Sequence, residues 1–295
     1  MRREWPTWLA LALDYAVWAL ATIYLTQFSV LLAIIVAGLA AALHSSLNHE
    51  ALHGHPTRNP YVNTALVFPA LSLFIPYFRF RDTHLTHHRD ERLTDPYDDP
   101  ESNFQDPDVW ARLGPAQRRI LRLNNTLAGR MVLGPILSQI SFMSADAQAI
   151  RAGDRRVLQG WLLHIPAVAL VIWWANAVGQ MPGWAYVAAA YLGLAILKIR
   201  TYLEHRANRD WQGRTVLIED RGPLALLFLN NNYHIVHHTH PGLPWADIPQ
   251  EFRDHRDQYL ALNGGYYYRS YRDVFRRYLW RAKDPVPHPL WSKPG

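Results

Sequence analysis

Eight histidines stand in three short clusters. "HEALH" holds His49 and His53, "HLTHH" holds His84, His87 and His88, and "HIVHH" holds His234, His237 and His238. Spacings of i, i+4 in the first and i, i+3, i+4 in the others put each cluster's rings on one face of a helix. Crowded imidazoles are costly unless a cation holds them, and neutral imidazole suits iron, zinc or copper. One zinc is satisfied by four ligands, so eight histidines imply two metals, each keeping positions for oxygen. The chain has no cysteine. That excludes disulfides, thiolate nucleophiles, zinc ribbons and a built-in iron–sulfur cluster. No carboxylate cage accompanies the clusters, unlike soluble di-iron bundles.

The elements that must position these rings are apolar. Thr7 to Leu25 and Phe28 to Leu47 form two apolar runs separated only by Thr26 and Gln27. Val157 to Val178 and Trp184 to Ile199 form a second pair, joined by "GQMPG". Each run is near the length a membrane-spanning helix needs, about 20 residues. The expected fold class is therefore all-α and integral to a membrane, with two transmembrane hairpins making four spanning helices. A cleavable signal peptide is a poorer account of the first run, because a second apolar run follows at once. Between the hairpins, Tyr61 to Phe80 is apolar but broken by Pro69 and Pro76, which predicts a kinked segment on or dipping into the cytoplasmic leaflet. The tail from Pro249 mixes aromatics with charge and reads as a cytoplasmic cap. Nothing marks a second domain within residues 1–295.

Charge sets the expected orientation. The hairpin tips carry no charge, whereas Arg2, Arg3, Arg151, Arg155, Arg156, Lys198 and Arg200 flank the other ends. The positive-inside rule places both termini and all three clusters in the cytoplasm, as in a bacterial inner membrane. Net charge is +6, with twelve tryptophans and fifteen tyrosines. That balance fits a membrane protein with interfacial aromatics, and no nucleic-acid partner is expected.

With that order and topology, the clusters resemble the three histidine boxes of the integral-membrane fatty acid desaturase and hydroxylase superfamily, which includes carotenoid ketolases and hydroxylases. The resemblance implies a non-haem centre of two iron ions, held mainly by histidine, that uses O2 to oxidise an unactivated C–H bond. It also implies a ninth ligand near the end of the fourth helix, where His205 of "TYLEHR" matches, and an asparagine acting through water, for which Asn230 or Asn232 could serve. "DPYDDPES" is similar to the acidic stretch after the ketolase box; we read it as a capped, solvated loop with a substrate-headgroup role open. Glu50, Asp82, Asp90 and Glu204, beside or near ligands, are expected to orient imidazoles through the distal N–H.

Side chains alone cannot oxidise an alkyl chain, and reducing O2 needs electrons. Without cysteine clusters or a nucleotide-binding GxGxxG these come from outside, and a basic face suits an acidic ferredoxin- or rubredoxin-like donor. The leading expectation is desaturation of a fatty-acyl or lipid-like chain in contact with membrane lipids, with hydroxylase or ketolase, a monooxygenase outcome, as the alternative. A membrane metal transporter would need polar residues along its helices, and only Asp14 and His164 interrupt these. A zinc hydrolase would leave most of the histidines unexplained.

Overall fold

The computed structural model describes residues 4–88 and 92–292. Helix α1 (Trp5–Phe28) starts at a proline and contains one wider turn at Ala21–Leu25. Ser29 ends it and caps α2 (Val30–Leu52) by accepting a hydrogen bond from the Leu32 amide, so two long helices turn back on each other with a single residue between them. Helices α3 (Pro60–Leu66) and α4 (Tyr77–His87) follow, both placed by prolines. Next come α5 (Pro107–Arg112), α6 (Pro115–Asn124), α7 (Leu127–Arg151), α8 (Arg155–Val178) and α9 (Gly183–Thr201). The remaining chain folds into α10 (Pro223–Leu227), α11 (His234–Thr239), α12 (Ile248–Asp254), α13 (Arg256–Leu262) and α14 (Tyr271–Tyr278). Strands β1 (Leu217–Ile218) and β2 (Tyr267–Tyr268) form one short parallel pair.

Among the described residues, three helices, α1, α2 and α8, are long and apolar enough to cross a membrane. The fourth expected span, α9, is 19 residues long and carries Lys198 and Arg200 in its last turn. The exterior is apolar: Leu9, Leu13, Leu31, Ile35, Leu162 and Ile165 are exposed. Polar groups lie inside. Asp14 and His44 are 0% and 1% exposed and bond at 2.9 Å, and His164 bonds the Leu73 carbonyl at 2.8 Å. An apolar outside around a polar inside is the arrangement a bilayer favours, since polar side chains there face the bundle interior. Residues 107–151, to which the sequence reading assigned no element, hold α5 to α7. Helix α7 leaves Val132, Ile136, Ile140 and Met143 exposed along one stripe.

The contact that brings the histidine segments together is between α2 and α9. A side chain at Gly38 would meet Ala189 and Leu192, and one at Gly193 would meet Ala41 and Ala42. Rising numbers match rising numbers, so the helices run parallel and end together. Small residues let the backbones approach closely; Ala37, Ala41, Ala185 and Ala189 complete this core. His49 and His53 at the end of α2 thereby come to the same end of the bundle as His205, just beyond α9. Helix α4 is clamped from the other side: Arg79 makes a bidentate pair with Asp146 of α7 at 2.8 Å, and Trp161 of α8 donates to the same carboxylate.

Candidate metal centre

All nine expected histidines converge, in two groups. His49, His53, His84, His88 and His237 form one; His87, His205, His234 and His238 form the other, and within each group the ligand atoms lie within 4.8 Å of one another. The groups share a wall, where the rings of His88 and His238 stack at 4.3 Å. Apart from the half-buried His53, His88 and His205, the nine are buried.

The second cluster sits in the last turn of α4, so His84 and His87 point inward while Pro76 and the Arg79 clamp fix the helix direction. The third follows a left-handed turn in which Leu229 and Asn230 have φ of 48° and 57°. Asparagine tolerates that conformation better than most residues. Backbone bonds from Ile218 to Asn232 and from Ile235 to Val216 then hold the start of α11 against β1.

Partners on the far side of each ring set the proton positions. Nδ1 of His84 lies 2.9 Å from Glu101, Nδ1 of His87 lies 2.8 Å from Asp99, and Nδ1 of His234 lies 3.0 Å from the Asn231 amide oxygen. Each acceptor holds a proton on Nδ1, so that in the neutral ring Nε2 is the nitrogen with the lone pair. Those lone pairs face other Nε2 atoms: His84 to His88 at 3.0 Å, His87 to His205 at 2.9 Å, His234 to His205 at 3.2 Å and His88 to His237 at 3.1 Å. Nε2 of His49 and of His53 are buried with no hydrogen-bond partner. Such an arrangement is repulsive by itself and fits a cation in each group.

The electrostatics agree. Burial first, and neighbouring imidazoles second, push His88, His205, His234, His237 and His238 well below the usual histidine range. They are neutral, ready ligands. Burial also works against charge on His87, but Glu101 and Asp99 outweigh it and push that ring up to about 9. Burial would likewise raise Glu101, yet His87 and His84 hold its carboxyl well below the usual range. Binding a metal at His87 must therefore displace a proton.

Several expected supports stand elsewhere. Asp82 turns away from the rings and pairs with Arg156 at 2.6 Å and with Arg81, which pins α4 to the start of α8. The side-chain amides of Asn230 and Asn232 hold backbone carbonyls, of Trp245 in one case and of Ile218 and Asp220 in the other. Asn231, not singled out by sequence, touches His234. Glu50 accepts from the Trp245 amide and lies 3.9 Å from His49 Nδ1. Glu204 reaches His234 through Asn231, at 3.4 Å, while pairing with Arg200 at 3.1 Å. Asp90 lies outside the described residues. The acidic stretch, expected to be a solvated loop, instead supplies Asp99 and Glu101. The missed signal was its carboxylates, within 17 residues of the second cluster.

Fold and site together define a helical, membrane-type protein with two adjoining histidine groups that could each hold a metal ion. The sequence model of the fatty acid desaturase family matches residues 26–271. The chain belongs to that family. No individual curated protein matches it.

Proposed function

We propose that the protein is an oxygen-dependent membrane di-iron oxidoreductase that desaturates a fatty-acyl or lipid-like chain. The observation carrying this reading is the convergence of nine imidazoles into two adjoining groups at one end of an apolar-faced bundle. Two iron ions bound by these groups would supply the O2 chemistry that side chains lack.

The protein's part is to hold, orient and exclude. Asp99, Glu101 and Asn231 keep the Nδ1 protons in place so that the opposite nitrogens face inward. Burial of the rings keeps water from the centre. A narrow crevice lined by Phe68, Ile75, Phe78, Leu163 and His164 also includes Asn48, the neighbour of His49; it has room for little more than one water, so an alkyl chain would have to part its walls. In this reading α9 is the fourth span, both termini and the centre face the cytoplasm, and an external acidic electron carrier reduces the site.

The test compares total lipid extracts, by mass, from cells carrying the wild type and cells carrying His237→Ala, each with a ferredoxin system. A product lighter by two hydrogens and present only with the wild type supports desaturation. A gain of one oxygen would make the protein a hydroxylase or ketolase instead. A His237→Ala protein that retains full iron and full turnover would overturn the di-iron reading.

A further inference from the structure

Among the described residues after α14 there is no helix, and the segment 279–292 lies against His205 and the acidic loop. Leu279 accepts from the Ala128 amide, Arg281 from the Tyr202 hydroxyl and Asp284 from the Asn125 side chain. Gln105 then bonds Val286 and His288 in turn, through backbone atoms at 2.9 and 2.8 Å. Trp291 donates to Asp95 at 3.0 Å. Two side chains of this strap do more than fasten it.

Lys283 donates to the backbone carbonyl of His205. His288 is buried, and its orientation is set from both sides. The Leu290 amide donates to Nδ1 at 3.1 Å, so Nε2 carries the proton and donates to the Thr94 hydroxyl at 3.1 Å. Thr94 is buried too and sits at φ 71°, a costly conformation for a β-branched residue that persists only where its surroundings enforce it. In that conformation the Thr94 amide donates to Asp99 Oδ2 at 2.8 Å, while Asp99 Oδ1 holds His87. The links run from His288 to Thr94, to Asp99 and to His87.

Both routes end on the four-histidine group, at His205 and at His87. Among the described residues, the five-histidine group meets the acidic loop through His84 and Glu101, whose amide donates to Asp99. We infer that His288 is a positioning residue for one metal site of the two: by holding Thr94 in its left-handed turn, it keeps the four-histidine group competent to retain metal. This rests on the two-metal reading above.

Metal retention tests it without recourse to turnover. Wild type, His288→Ala, Thr94→Val and Thr94→Ser would be loaded with iron or cobalt, challenged with graded chelator, and assayed for metal per chain, with cobalt absorption following each site. Loss of a ligand's outer hydrogen-bonding partner weakens metal binding roughly 10–100-fold. His288→Ala and Thr94→Val are expected to lose half their metal at chelator concentrations that leave the wild type loaded, and to keep the rest. Thr94→Ser retains the hydroxyl and is expected to behave as wild type, which separates positioning from general loosening. Parallel loss of both metals, or full retention of both, would overturn the inference. A wild type that binds no metal at all would remove the two-metal reading, and the inference with it.

Discussion

Asp99 Oδ1 lies 2.8 Å from Nδ1 of His87, twelve residues earlier in the chain, and the other oxygen of the same carboxylate caps the Thr94 amide. One buried carboxylate thus holds a histidine ring of the four-membered group and a turn of its own loop. Replacing Asp99 with Ala should weaken metal binding roughly 10–100-fold, while Asp99→Asn, which keeps an acceptor for His87, should lose less. Metal titration of the purified variants checks this, and equal affinities for Ala and wild type would rule out the assignment.

The three consecutive asparagines have separable tasks. Asn231→Ala removes the acceptor for His234 Nδ1 and the link to Glu204, so metal affinity should drop by a similar factor of about 10 or more. Asn230→Gly keeps the left-handed turn at φ 57° and should fold and load normally. Asn230→Val puts a β-branched residue there, at a cost of about 1–3 kcal/mol. Thermal unfolding beside metal content tells these apart, and an Asn231→Ala protein with wild-type metal affinity would contradict the assignment.

The α2–α9 contact should be intolerant of size. A Cβ at Gly193 would lie 2.9 Å from both Ala41 Cβ and the Gly38 carbonyl oxygen, so Gly193→Ala should cost about 1–3 kcal/mol by overpacking. Gly193→Leu should also part the helix ends that carry His49 and His205, and lower metal content. Gly183→Ala, which meets nothing within 4 Å, is the control. Indistinguishable melting of Gly193→Leu and Gly183→Ala in detergent would refute the packing assignment.

Acid should loosen the strap. Burial, and after it the Arg214 guanidinium, lower the His288 pKa below 6.5, against the opposing pull of Asp95 and Asp284. A depressed histidine pKa means that the unfolded chain binds the proton more readily. The stabilisation is therefore fully present above about pH 6.5 and is lost as pH falls through the folded value. Protonated Nδ1 can no longer accept from Leu290. Hydrogen exchange should show the Leu290 amide and residues 94–99 losing protection on acidification below about pH 6, and rising protection there would reverse the sign and defeat the prediction.

What could be read from the sequence followed from local periodicity. His84, His87 and His88 share a helix face by spacing alone, and the apolar runs before them set helix length. Asp99 and Glu101 could not be placed that way. Their approach to His87 and His84 depends on a non-helical loop whose path turns at Thr94, a residue type that rarely adopts the required φ. Asn231 was passed over for a similar reason: which of three adjacent amides faces the ring is decided by the left-handed turn at Leu229 and Asn230. Helix α7 escaped notice because Gly129, Arg130, Gly134, Pro135, Ser138 and Gln139 break up its apolar residues. Asp82 misled because it neighbours the second cluster in sequence while its side chain leaves on the opposite helix face, toward Arg156.

The strap also bears on the order in which the site is made. Its late side-chain anchors are His288 and Trp291, whereas the ring that His288 steadies is His87. While the ribosome is still adding the residues between them, every histidine of the two groups from His49 to His238 can already have emerged, with Thr94 held by Asp99 and Ser102 but not yet by His288. The four-histidine group thus passes through a stage in synthesis when all its nitrogens exist, along with Asp99 and Asn231 behind two of its rings, but the His288 contact that steadies Thr94 does not.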